Sequence, residues 1–200
     1  MSRATLSIFR TATCAALFVL PLLAISCSNS LFKVKPVNEM RAMPASAASV
    51  NVGSLTFRAS PLLTDEETQE LFESNLQLAG LIPVRLEVVH NSGAPVEMKK
   101  LKFRLNDSAN SEWKLISAKQ AISRIMKANG LTLYNPNARK AFEKEFRAYE
   151  FNVKDPLAHA EGKRQGLLIF QSAGKDPVAS PKNLALSIEG LAQPVSLKLN

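Results

Sequence analysis

Cysteine is nearly absent from this chain: there are two in 200 residues, Cys14 and Cys27. From Ser28 onward neither a disulfide nor a thiolate ligand is possible, so the fold must rest on a packed core. Histidine is as scarce, with only His90 and His159. There is no His-Glu-x-x-His, no Cys/His ligand spacing and no EF-hand loop, so no metal and no cofactor is expected. A Gly-x-Ser-x-Gly elbow and a phosphate-cradling glycine loop are missing too. Ser-x-x-Lys occurs at Ser30/Lys33, Ser111/Lys114 and Ser172/Lys175. None is accompanied by Ser-Asp-Asn or Lys-Thr-Gly, so this nucleophile–base reading is rejected and no catalytic residue is assigned. Paired carboxylates for glycoside hydrolysis need no fixed spacing, which leaves an unmarked hydrolase as a third reading. Long hydrophobic runs are limited to residues 11–25, interrupted by Pro21. A membrane-crossing helix needs roughly 20 apolar residues, so this run is too short to span.

What that run does have is the layout of an export signal. Arg3 and Arg10 make a positive start with no acid, an apolar stretch follows, and Ser26 is a small residue at the end. Leu23-Ala24-Ile25-Ser26-Cys27 resembles the lipobox of bacterial lipoproteins. The resemblance implies removal of residues 1–26, acylation of Cys27 as the new N-terminus, and a membrane partner held through that lipid. Ser28 is not the Asp that retains such proteins in the inner membrane, so the implied location is the outer membrane, facing the periplasm or the cell surface. Residues 27–49 contain Pro36, Pro44 and the small-residue stretch Ala45-Ser46-Ala47-Ala48-Ser49, and read as a flexible lipid-anchored tether. Residues 50–200 are expected to form one globular domain.

Within that domain, apolar and polar residues alternate repeatedly. Leu55, Phe57 and Ala59 share one parity, as do Val84, Leu86 and Val88, then Leu101, Phe103 and Leu105, and later Leu184, Leu186 and Ile188. Shorter pieces occur at Trp113/Leu115, Phe151/Val153 and Val195/Leu197/Leu199. Residues 167–170 are apolar on both parities and predict a central strand. The remaining strands predict one wet face, as antiparallel sheets have. Asn91-Ser92-Gly93-Ala94-Pro95 reads as a hairpin loop. His90 continues the inward parity of its strand and is expected to have its hydrogen bond satisfied, whereas His159 is expected in solvent.

Three helices are predicted among the strands. Thr64 with Glu67 is a capping box opening a helix over 65–79, whose stripe is Leu71, Phe72, Leu76 and Ala79. Ser117 with Gln120 opens a second over 118–129, ended by Asn129-Gly130. Asn135-Pro136 opens a third over 136–149, with Phe142, Phe146 and Tyr149 on one face.

The order of elements from Gly53 to Asn200 resembles the immunoglobulin-like β-sandwich domains of small bacterial envelope lipoproteins. Two stretches carry it, Leu81-Ile82-Pro83-Val84-Arg85-Leu86-Glu87-Val88-Val89-His90-Asn91 and Gly162-Lys163-Arg164-Gln165-Gly166-Leu167-Leu168-Ile169-Phe170. The expected fold is mainly β, an immunoglobulin-like antiparallel sandwich with about three inserted amphipathic helices. The alternative is an α+β layer in which helices cover one sheet face.

The remaining signal is charge. Removing Arg3 and Arg10 lowers the formal charge of +8 by two. Lys100, Lys102 and Arg104 share one strand face beside Lys99, Arg139, Lys140, Lys144 and Arg147 line the third helix, and Lys163-Arg164 precede the central strand. These are candidate contacts for a partner or a polyanion. Nucleic acid is not expected, because the implied compartment is wrong for it and no aromatic shares the Lys100–Arg104 face for bases to stack on. The function read from sequence is a non-enzymatic lipid-anchored envelope protein, serving protein interaction or structure. The second reading is a binder of polyanionic envelope glycan or lipid.

Overall fold

The computed structural model describes residues 32–109, 111–131, 135–174, 177–178 and 181–200. Cys27 and the export signal lie outside these residues. The described residues form eight strands: β1 (Ala48–Val52), β2 (Leu55–Pro61), β3 (Leu81–His90), β4 (Lys102–Asn106), β5 (Glu112–Ile116), β6 (Lys163–Gln171), β7 (Ala185–Glu189) and β8 (Val195–Lys198). Three helices accompany them, α1 (Asp65–Phe72), α2 (Ala118–Ala128) and α3 (Pro136–Arg147). The strands make one antiparallel sheet in the order β1-β2-β3-β6-β5-β4-β7-β8. Its two edges, β1 and β8, come alongside each other, so the sheet is nearly closed. No helix among the described residues is long and apolar enough to cross a membrane.

The protein has two cores because its central strands are apolar on both faces. Inward-facing Phe57, Val84, Leu86, Val88, Leu105, Leu168, Phe170, Leu186 and Ile188 fill the space inside the curved sheet. On the outside, Leu81, Leu167, Ile169 and Ile116 pack under the buried stripes of α1, α2 and α3. This is why residues 167–170 show no alternation: each parity faces a different core.

All three predicted helix starts are present. Thr64 and Glu67 form a reciprocal capping box, as do Ser117 and Gln120, and Asn135 caps α3 ahead of Pro136. The first helix stops at Phe72 rather than 79, because Glu73 turns left-handed at φ 49° and closes the helix on the Gln69 carbonyl. Leu76 and Ala79 stay buried, carried by the turns that follow.

Four expectations are corrected. The 91–95 segment is not a hairpin loop: β3 pairs with β2 and β6, and β4 with β5 and β7, so the connection crosses from one part of the sheet to another. Phe151 and Val153 do not form a strand; residue 150 makes only an isolated parallel bridge to Leu167. The second face of β3 is not wet, since Arg85 and Glu87 are buried. Finally, both ring nitrogens of buried His90 lack a hydrogen-bond partner; the exposed His159 ring meets His90 edge-on at 5.8 Å and contacts its carbonyl through Nδ1 at 3.0 Å.

Residues 32–41, read from the sequence as part of the tether, form a strap against the helical flank, and Ala42 and Pro44 continue it to Arg85 of β3 and Arg58 of β2. Val34 is buried in the outer core, the Lys35 amide donates to the Leu71 carbonyl, and Phe32 meets Phe142 edge-on at 5.2 Å. The buried Arg85 reaches out from β3 to donate to the carbonyls of Arg41 and Ala42. Burial lowers the pKa of this guanidinium, with Glu87 and Glu67 acting against the shift. Among the described residues the packed body therefore reaches back through this strap to Phe32, ahead of the boundary at residue 50 expected from the sequence.

Candidate functional site

The most distinctive place on the surface follows from a change of partner along β5. Its first residues pair with β4, Glu112 with Asn106 and Trp113 with Leu105. Its last three pair instead with β6, from Lys114 opposite Gln171 to Ile116 opposite Ile169. The strand thus leaves β4 for β6 and then ends at the cap of α2. The sheet opens where β4 and β6 part.

The chain that follows α3 fills this opening. Tyr149 and Phe151 exchange backbone hydrogen bonds with Leu167, taking up the edge of β6 that β5 has left. Phe151 and Leu157 then enter the inner core, and the Phe151 ring meets Phe103 edge-on at 6.1 Å. Gly166 makes this crossing possible, because a Cβ there would stand 2.6 Å from the Phe151 Cα.

Arg164 holds the rest of the insertion in shape. Its side chain is nearly buried at 9% exposure, and it grips Glu161 with Nε and Nη2 at 2.9 and 2.6 Å. The same guanidinium donates to the carbonyls of Asn152, Asp155 and Pro156 at 3.1, 2.6 and 2.9 Å. Only a planar fork with five donors can serve so many acceptors. The Arg164 hydrogen bond holds the Glu161 carboxyl below the usual carboxylate range.

Between this insertion and the start of α2 runs a groove of about 590 Å³, lined by Ser117, Lys119, Arg147, Glu150, Val153 and Lys154 among others. It continues into a smaller, more apolar extension of about 260 Å³ over Leu115, Phe151 and Leu167. Leu115 is 39% exposed, one of two large exposed hydrophobics on the described surface. The acids along the groove have structural partners: Glu150 accepts from the Ala118 amide at the start of α2, and Asp155 from the Asn152 side chain. Lys119 and Lys154 form no ion pair among the described residues. The groove therefore offers an apolar patch bordered by charges of both signs, Lys119 and Lys154 beside Glu150 and Asp155. Among the described residues, no three His, Cys, Asp or Glu side chains gather where they could share a metal ion.

The basic residues singled out from sequence sit on separate elements: the approach to β4, β4 itself, α3 and the start of β6. Lys100 belongs to a short 3-10 turn (Met98–Lys100) ahead of β4, while Lys102 and Arg104 are exposed on β4 itself. Arg104 is engaged twice, with Glu189 at 3.1 Å and Glu112 at 3.3 Å. Lys99 is paired with Glu97 at 3.0 Å. On α3, Arg147 pairs with Glu143 one turn back at 2.5 Å, Lys140 and Lys144 are exposed, and Arg139 is half-buried. That helix packs with α2, whereas β4 lies between β5 and β7. Lys163 approaches buried Glu87, which Arg58 also contacts.

The groove was not readable from the sequence. Its one signal, Phe151/Val153, has the alternation of a strand, and the partner change in β5 depends on register that no local pattern encodes. This chain matches no protein-family model, no curated protein and no solved structure. The fold of the described residues defines the class: a mainly β domain of eight antiparallel strands in one nearly closed sheet, with three helices on its flank.

Proposed function

We propose that this chain is a non-enzymatic envelope protein, lipid-anchored at Cys27, whose domain engages a protein partner through the groove beside Leu115. The observation that carries the reading is the exposed Leu115 over an apolar floor, with Lys119, Lys154, Glu150 and Asp155 on the rim. A partner segment offering an apolar side chain bordered by charges of both signs matches it, since a buried apolar anchor with a charged rim is how protein contacts gain both affinity and register. The second reading, a polyanion bound at Lys100, Lys102 and Arg104, is weakened by the two carboxylates already on Arg104. At the level of fold, the immunoglobulin-like sandwich is part of this proposal. The division at β5 supports it by separating β4, β7 and β8 from the remaining strands.

The anchor is tested by expressing the full chain with its own signal in a bacterial host and fractionating the envelope. The wild type is expected in the membrane fraction with acyl chains on Cys27, and Cys27→Ser in the soluble one. Equal partition of the two would contradict the anchor.

A further inference from the structure

Cys27 is five residues from Phe32, which is at most about 18 Å of fully extended chain. Phe32 is not on a loose leader: its ring lies against Phe142 of α3, and Val34 and Lys35 are fixed behind it. A lipid on Cys27 would therefore hold this domain close to the bilayer, at the place where the strap meets α3. The long tether expected from the sequence would have left orientation free; the docked strap removes that freedom.

The side of α3 turned away from the Phe32–Phe142 contact, across the width of one helix, is basic. At about 100° per residue, Lys140 and Lys144 lie about 40° apart on the side opposite buried Phe142 and Phe146. Neither lysine forms an ion pair among the described residues, and both are exposed. The acids of the helix do not cancel them: Glu143 is held by Arg147 at 2.5 Å, and Glu145 projects about 120° from the lysine face. Lys33, also exposed, sits on the strap beside Phe32.

We propose that the outward face of α3, through Lys140 and Lys144, is the surface this domain holds against anionic lipid headgroups. The proposal rests on the anchor at Cys27. Each lysine near an anionic leaflet shifts surface partitioning roughly fivefold, and the attraction fades in salt. The face is then set by the short leash and the charge together.

The test uses the full chain, purified from a bacterial host after processing and reconstituted in vesicles of phosphatidylcholine alone or mixed with phosphatidylglycerol. The mass of the N-terminal peptide first reports acylation of Cys27. A membrane-impermeant amine reagent then reports the exposure of Lys140 and Lys144 relative to Lys102 and Lys198, both exposed on the sheet. Labelling of Lys140 and Lys144 is expected to fall about fivefold on the anionic vesicles and to recover in high salt. In the double variant Lys140→Gln, Lys144→Gln, Lys33 labelling should become equal on the two kinds of vesicle. An acylated chain whose Lys140 and Lys144 label equally on both overturns the orientation while leaving the anchor intact. A chain with no acyl group overturns both.

Discussion

The hydroxyl of Tyr149 donates to the carbonyl oxygen of Lys35 at 2.7 Å, tying the end of α3 to the N-terminal strap across 114 positions of sequence. Tyr149 is also packed edge-on against Phe72 at 5.0 Å, so one side chain joins α1, α3 and the strap. It works beside the Lys35 amide bond to Leu71, buried Val34 and the Arg85 bonds to Arg41 and Ala42.

Tyr149→Phe keeps the ring and removes only the hydroxyl. Loss of one such bond is expected to cost about 1 kcal/mol. Amide exchange should speed up at residues 33–41 and remain unchanged in β3 and β6. Uniform acceleration would mean that the bond supports the whole fold rather than the strap.

Arg85 makes the second tie, and its removal should cost more. Arg85→Met keeps the length and apolar stem but leaves the carbonyls of Arg41 and Ala42 without their donor and Glu87 with one neighbouring cation fewer. A loss of about 2–3 kcal/mol in urea unfolding is expected, with early proteolysis near Arg41.

At the groove, Arg164→Lys preserves charge but not the fork. It cannot grip Glu161 bidentately while also serving three carbonyls, so about 1–3 kcal/mol should be lost, with exchange rising selectively at residues 152–161. Gly166→Ala tests the crossing itself. The new Cβ meets the Phe151 backbone at 2.6 Å, and a shift there should cost about 1–3 kcal/mol and displace the Phe151 ring from the inner core.

Stability should fall at both ends of the pH scale, for different reasons. Glu161 and Glu70 are held below their ordinary value, chiefly by hydrogen bonds from Arg164 and Lys35. A carboxylate with a depressed folded-state pKa stabilises the fold above its unfolded value, and this is lost as pH falls through the folded one. Both groups are partly exposed, so screening keeps the acid loss small. Tyr149 behaves oppositely: burial, aided by Glu39, raises it from 10.0 to about 12. Its contribution is complete below pH 10 and should disappear as pH rises toward 12, which thermal unfolding across pH 9–12 would show as a tyrosine-dependent decline absent in Tyr149→Phe.

Local signals in the sequence were reliable wherever the cause was local. The caps at Thr64, Ser117 and Asn135 act within three residues, and the uninterrupted apolarity of residues 167–170 reports two buried faces directly. The failures concern partners far along the chain. Arg85 and Glu87 look like a wet face because nothing near them reveals the strap 43 residues earlier or the Arg58 and Lys163 side chains across the sheet. Phe151 alternates like a strand but serves as a plug, since β5 changes partners beside it. The candidate groove exists only through that change, so composition and periodicity had no means of locating it.

The most direct test of the interaction reading is position-specific photocrosslinking in the living host. A photoreactive residue replacing Leu115 or Val153 in the full chain should give one and the same discrete protein adduct. The adduct should be absent from Ser196 on the distant β8 and lost when Lys119→Glu and Lys154→Glu are introduced together. Equal adducts from Leu115 and Ser196, or none from either groove position, would contradict the claim that this groove is where the protein meets its partner.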